Sequence, residues 1–539
     1  MRIGKKRLYN HNTENNPEKS GGHIPSKEQV RPISSSLKEN IDFIKKLFSE
    51  DHWLKQSEFK LPDTGKPAGV LYIEGLADVG FVNHGIVNRF SNRALDKKST
   101  GAPLYGSHLQ LIKESFFPTL ELKETGRMEQ AVSALLDGNT CLFIDGENKA
   151  LIISTRMIEK RSIDTSETEA SIYGNKEAFT EDIKTNCMMV RRRLPTPDLQ
   201  FKSFILGRLS QTNTILMWIE GITNPKFIGE AVERIQKIDV DNIFGVSMIS
   251  EMTEDAPLSI WPKYKMTEKP DAVVAGLAEG RFAILCDGNP FALIAPVEFW
   301  QLFQSPDDYA EKPVTGSFLR FIRILAFFIS TLLSPLYLAF TTYNHTILPP
   351  DLAVHISTGR QDVPFPSIIE VILMTVVIDI LYEAGARLPK TIGGAIGVLG
   401  AVVIGQSAVA AGYVSPSIII IIAVTTVAGF TFPQTLIYWP TRLINYSLIV
   451  VTGILGLYGL LLGFTVIMWH LVSLRSFGIP FFYPVAPFNT DSIKDTLIRA
   501  PQWKQNRRPE LLTHKNVYRK GPDSTKKPGP SDGKDKSKK

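Results

Sequence analysis

The chain has 539 residues, 60 Lys/Arg against 54 Asp/Glu, and a net charge of +6. That length exceeds one ordinary domain. The only cysteines, Cys141, Cys187 and Cys286, lie far apart without CxxC spacing or nearby histidine clusters, which argues against a disulfide scaffold or a zinc site and fits buried, reduced thiols.

Residues 1–35 are rich in Lys, Asn, Glu, Ser and Pro, which predicts a disordered, basic N-terminal stretch. They hold no apolar run of the secretory kind, so the domains that follow are expected on the cytoplasmic side. An apolar-periodic helix is expected over Leu37–Phe48.

An internal repeat comes next. Residues 136–153 read LDGNTCLFIDGENKALII and residues 278–295 read AEGRFAILCDGNPFALIA, which align without a gap at an offset of 142. Upstream, Tyr72-Ile73-Glu74-Gly75 matches Trp218-Ile219-Glu220-Gly221 at an offset of 146. LYIEG and MWIEG read as buried strands closed by Gly. AVSALLDG and AVVAGLAEG have helical spacing and end on a C-capping Gly. LFIDG-ENKALII and AILCDG-NPFALIA are two apolar runs joined through Asp-Gly, a hairpin signal. No His, Lys or second carboxylate recurs beside Asp145 and Asp287, so both are assigned to turn chemistry rather than catalysis. The expected fold is two tandem similar α/β domains, soluble and cytoplasmic, at 36–160 and 161–316. The second opens with a linker helix over Lys176–Arg193. Acids stand at the start of that helix and Arg191, Arg192 and Arg193 at its end, where they suit the helix dipole or a surface for docking a partner.

From 317 to 475 the composition becomes that of an all-α, multi-pass transmembrane domain. Ile324–Tyr343, Ile392–Ala411, Ser417–Tyr438 and Leu443–Trp469 carry no charge, and each is long enough to cross a core of about 30 Å as a helix. Pro335, Pro416 and Pro433 mark kinks or span ends. The Gly/Ala-rich second stretch suits close helix packing. Arg320 and Arg323 before the first stretch place the soluble part inside. An uncertain fifth span, 367–386, carries Glu370, Asp379 and Glu383. Asp379, Glu383 and Arg387 recur every four residues on one stripe, with Glu383 and Arg387 set for an ion pair and Glu370 on roughly the opposite face. Two readings stand for these charges: neutralised glue inside a bundle, or the wall of a hydrated pathway.

The segment 476–539 ends in a basic tail, with 13 Lys/Arg against 4 Asp/Glu from Arg499 onward. Such a tail suits anionic lipid rather than nucleic acid. Five spans put it opposite the soluble part, whereas four keep both on one side. The charge rule favours the second arrangement.

KEAFTEDIKTNCMMVRRRL (176–194), VPFPSIIEVILM (363–374), LYEAGARLPKTIGGAIGVLGAVVIGQSAVAAGYVSP (381–416) and SFGIPFFYPVAPF (476–488) resemble the A subunits of bacterial spore germinant receptors, the GerA type, over about residues 36 to 490. Tyr382 departs from the family pattern, which has Arg there. The resemblance implies a subunit of a nutrient receptor in the spore inner membrane. It further implies a transporter-like B subunit and a lipoprotein C subunit as partners, and A subunits assembled into an oligomeric ion channel. No cofactor is implied. The alternative is a secondary transporter, but the repeat lies in the soluble half rather than among the spans. No nucleophile–base pair, metal-ligand cluster or phosphate loop supports an enzyme.

Overall fold

The structure is a computed structural model that describes residues 31–49, 51–61, 65–87, 122–157, 169, 174–387, 405–489, 492–496 and 498–519. The expected disordered N-terminal stretch and the end of the basic tail lie largely outside these residues. The chain divides into two compact units, residues 1–159 with 194–197, and residues 160–193 with 198–539.

The first unit opens with α1 (Leu37–Leu47), whose buried Leu37, Ile41 and Ile44 lie on one face. Strands β1 (Leu54–Lys60), β2 (Pro67–Ile73), β3 (Leu122–Thr125), β4 (Thr140–Ile144) and β5 (Ala150–Ile153) form an antiparallel sheet in the order β1-β2-β4-β5-β3, with α2 (Met128–Leu136) preceding β4. Gly69 lets α1 approach β2, because a Cβ there would stand 3.0 Å from the Ile41 side chain.

The sheet of the second unit repeats this plan. It contains α3 (Ile183–Arg193), β6 (Leu199–Leu206), β7 (Thr212–Ile219), α4 (Pro225–Gln236), α5 (Val246–Thr253), β8 (Lys265–Thr267), α6 (Pro270–Glu279), β9 (Phe282–Cys286) and β10 (Ala292–Ala295). Its strand order is β6-β7-β9-β10-β8. Register matches as well: Ala68↔Ile144 corresponds to Thr214↔Cys286, and Thr125↔Ala150 to Thr267↔Ala292. Gly138 and Gly280 end their helices with φ of +86° and +98°, the left-handed region that favours Gly.

The helix expected from Lys176 starts seven residues later, at Ile183. Asp182 accepts from the Thr185 N–H at 2.8 Å and so stops the helix from extending backward. It is also no linker. It is the counterpart of α1, because both helices are held by one device. Asn40 accepts from the Ser34 N–H and donates to the Ser34 carbonyl (3.0 and 2.7 Å), while Asn186 does the same with Thr180 (2.8 and 2.5 Å). The repeated Asp closes the device: Asp145 accepts from the Leu37 N–H at 3.1 Å and Asp287 from the Ile183 N–H at 3.3 Å. The Asp-Gly turn therefore also caps the opening helix of its own repeat.

The longer helices that follow among the described residues of the second unit are α7 (Pro313–Thr342), α8 (Pro350–Thr358), α9 (Ser367–Arg387), α10 (Pro416–Gly429) and α11 (Tyr438–Ser473). Two expected spans need correction. Ser417–Tyr438 is not one helix: it stops at Gly429, and a loop holding Pro433 follows, since Pro offers no N–H to continue a helix. Leu443–Trp469 is not straight. Gly456 has φ +62° and ψ −145° inside α11. A Cβ on Gly463 would stand 2.8 Å from the Leu448 side chain, whereas 15 residues of straight helix would separate the two by about 22 Å. Segments 438–455 and 457–473 therefore form a helical hairpin. Of Ile392–Ala411, only residues 405–411 are described, and 405–410 are helical.

Levels along this bundle follow from its contacts. Ser330 of α7 lies beside Gly429 and Tyr438 at one level, and Tyr343 after α7 lies beside Gly453 and Gly456 at the other. The end of α11 returns to the α/β part, where His470 Nε2 is 3.1 Å from Ser259 Oγ. A short hairpin, β11 (Arg475–Ser476) with β12 (Ile479–Pro480), then inserts Phe477 and Ile479 into the core that holds Leu216, Phe282 and Ile284.

Candidate functional site

Two acids of the helical part are buried. On α9, Ile369, Leu373, Val376 and Ile380 are exposed along one face, while Glu370 and Asp379 are buried. This reverses the pattern of a helix on a water-soluble surface.

Asp379 faces the first turn of α11. Arg442 donates to its Oδ1 from Nε at 2.9 Å and from Nη2 at 2.6 Å. Tyr446 donates to Oδ2 at 2.7 Å and Tyr438 to Oδ1 at 3.4 Å. Arg442 is fully buried, and its Nη1 has no hydrogen-bond partner. Pro440, in the first turn of α11, leaves its own missing N–H harmless. Tyr382, one turn beyond Asp379, packs on Tyr438 and Phe430 with ring centroids 4.6 and 5.3 Å apart.

Glu370 lies one bundle level away, paired with Arg360 Nη2 at 3.2 Å and accepting from the Ser415 N–H at 3.0 Å. Ser415 is the N-cap of α10, so the carboxylate also sits at the positive end of that helix. Glu383 and Arg387 do pair, at 2.6 Å, but they are 46% and 79% exposed. The expected stripe therefore splits. Asp379 is a buried network centre, whereas Glu383 and Arg387 form a surface pair.

Below α7 lies a third cluster that sequence reasoning missed. Asp308 and Arg320 are fully buried and paired at 3.3 Å, and Arg323 reaches Asp308 at 2.6 Å. Arg320 Nη1 also donates to the carbonyls of Asp495 and Thr496 at 2.5 and 3.1 Å. Of the Arg pair expected to mark the inner membrane face, Arg320 thus binds the C-terminal segment to the start of α7, while Arg323 holds Asp308 and the Phe303 carbonyl. Asp495 lines a cavity of about 400 Å³ with Glu279, Arg281, Trp300 and Arg519. Burial, then the Glu279 carboxylate, pushes the Asp495 carboxyl from 3.8 up to about 6, against Arg320 and Arg519.

The Arg cluster ending α3 turns inward. Arg191 is buried over the Phe201 ring at 4.6 Å. Arg192 pairs with Glu177 at 2.5 Å, and Arg193 pairs with Glu177 and, at 2.6 Å, with Asp271. The two Arg partners draw the Glu177 carboxyl below its ordinary range, although burial, the largest single influence, opposes them. Arg193 thus ties α3 to α6, and Arg192 alone of the three is half-exposed. Among the described residues, no group of three His, Cys, Asp or Glu is placed to hold a metal. All three cysteines are buried, and none forms a disulfide.

Arg442 and Arg360 had no local sign in the sequence, because each lies beyond the helical neighbourhood of its acid. A weak signal was available for Arg442 alone, which is the single Asp, Glu, Lys or Arg between Lys390 and Arg475.

Two helical stretches, Pro313–Thr342 and Thr435–Ser473, are long and apolar enough to cross a membrane. The model of the Bacillus/Clostridium GerA spore germination protein family matches residues 42–511. The chain is 38% identical over 510 residues to spore germination protein KA of Bacillus subtilis (strain 168), covering 94% of this chain and 92% of that protein. It is 36% identical over 490 residues to the uncharacterized membrane protein YfkQ of the same organism, covering 90% and 93%. Among solved structures it matches the N-terminal domain of the A subunit of the Bacillus megaterium spore germinant receptor GerK3, with 31% identity and a TM-score of 0.40, covering 50% of this chain and 98% of that one. With most of its length matched by that model and by these relatives, the chain belongs to the Bacillus/Clostridium GerA family of spore germination proteins.

Proposed function

We propose that this chain is the A subunit of a germinant receptor in the spore inner membrane, and that several copies form a nutrient-gated ion-conducting assembly with a transporter-like B subunit and a lipoprotein C subunit. The observation that carries the membrane reading is the reversed polarity of α9, with acids inside and an apolar face outside. The exit at α7 and two return contacts with the α/β part of the second unit support a multi-pass path with both ends on one side. The chain leaves that part at α7. It returns at Gln434, which donates to Glu169 at 2.9 Å, while Glu169 also accepts from Thr267 of β8 at 2.7 Å. It returns again at His470. With 392–411 as the further crossing expected from its sequence, the path has six crossings, and α11 contributes two of them. On this reading the acidic residues of α9 serve assembly first, because Glu370 and Asp379 are already neutralised, and any conducting path is lined elsewhere or opens when these pairs part.

The test is reconstitution of the chain with its partner subunits in vesicles, followed by cation release with and without nutrient. Release that needs both the nutrient and this chain supports the proposal. Nutrient uptake by this chain alone, without ion release, would favour the transporter alternative.

A further inference from the structure

The two α/β repeats differ in how one slot is closed. In the first unit the chain leaving β5 doubles back over the loop after β2. The Asp78 N–H donates to the Thr155 carbonyl at 2.8 Å, the Met157 N–H donates to the Leu76 carbonyl at 2.9 Å, and Ala77 forms an antiparallel bridge with Arg156. The chain leaving β10 does something else, running into the one-turn helix Phe299–Phe303 that leads to α7.

Yet the slot in the second repeat is filled. At an offset of 146, Leu76, Ala77 and Asp78 correspond to Ile222, Thr223 and Asn224. The Asn224 N–H donates to the Leu512 carbonyl at 3.2 Å, the His514 N–H donates to the Ile222 carbonyl at 3.0 Å, and Thr223 bridges Thr513 in the antiparallel sense. Each of the three backbone contacts made by residues 155–157 has its equivalent in residues 512–514, about 200 residues later than the repeat alone would supply it. Leu512 is fully buried in the second repeat's core with Phe227, Ile235 and Phe282. Gly280 forms the floor: a Cβ there would stand 2.9 Å from the Leu512 carbonyl oxygen.

We infer that the second α/β repeat carries a docking slot for an extended segment, and that its occupant is the chain's own C-terminal strap, residues 511–514, acting in cis after the helical part. The repeat and the strap together bracket the helices. The strap holds the exit of α11 to the body from which α7 departs, so the two ends of the bundle move as one. The slot recognises backbone groups plus one apolar side chain, which is the chemistry of strand addition. Because 155–157 and 512–514 fill equivalent slots by different routes, the strap is the piece of the second repeat that the fold can release without unravelling a strand.

The test uses the full chain in detergent with Thr223→Cys and Thr513→Cys, a directly bridged pair within disulfide reach. Ala77→Cys with Arg156→Cys, the equivalent bridge of the first unit, is the control for folding and oxidation. The inference predicts an intramolecular disulfide in both. Adding Leu512→Asp should cut cross-linking of the 223/513 pair about tenfold, because a carboxylate replaces a buried apolar group, without touching the control pair. A 223/513 cross-link between two chains would overturn action in cis. Absence of any 223/513 cross-link where the control pair forms would overturn the docking itself.

Discussion

Asp379 and Glu383 lie one turn apart on α9 but meet opposite surroundings, and substitution should separate them. Removing Asp379 alone, as Asp379→Ala, strands the buried Arg442 guanidinium and should destabilise by about 3–5 kcal/mol. The paired change Asp379→Asn/Arg442→Gln should recover much of that loss. Glu383→Gln with Arg387→Gln disrupts only an exposed i,i+4 pair, worth about 0.3–0.5 kcal/mol. Abundance and detergent melting of the three variants check this ordering, and equal losses would contradict it. Spacing alone had favoured Glu383–Arg387 as the structural pair, because a helix shows its own i,i+4 neighbours and hides a partner 63 residues away. Asp495 allows a pH test at the same scale. Its carboxyl is raised from 3.8 to about 6, so across that window the folded chain keeps a proton that the unfolded chain has lost. Its contribution is therefore fully present below about 4 and is lost as pH rises towards 6. Asp495→Asn should flatten the melting temperature between pH 4 and 6 relative to the natural chain; parallel profiles would remove Asp495 as the cause.

At the scale of elements, the repeat was legible where both copies use the same residue types and obscure where they do not. Asp145/Asp287 and Gly138/Gly280 align at the offset of 142. The equivalence of α1 and α3 rests on Asn40 and Asn186 within dissimilar neighbours, so α3 read as a linker until the shared clamp placed it. Asp287→Ala should cost about 1 kcal/mol, the usual value of a lost helix cap, and should speed hydrogen exchange in the first turn of α3 while leaving α1 unchanged. Equal protection of α3 in both proteins would show that the carboxylate is a turn residue only. The hairpin in α11 was not legible, since an uninterrupted apolar run carries no mark of where it folds back and Gly456 is one of four glycines in that helix. Leu448→Cys with Gly463→Cys should form a disulfide if the helix folds back. A straight helix would hold the two about 22 Å apart and forbid it.

For the molecule as a whole, the sequence left the side of the C-terminus open, because counting apolar runs cannot tell a long helix from a hairpin. Contacts join the C-terminal segment to the α/β part: Arg320 holds Asp495, Leu512 enters the core of the second repeat, and His470 meets Ser259. The account's central claim is that the helices leave the α/β part of the second unit and come back to it across a membrane. A membrane-impermeant maleimide tests this on single additions at the exposed positions Glu181→Cys, Asp351→Cys and Lys515→Cys, with the three natural thiols buried. In sealed vesicles the reagent should reach Asp351→Cys from one face, and Glu181→Cys and Lys515→Cys only from the other. Labelling of Glu181→Cys and Lys515→Cys from opposite faces would contradict the account.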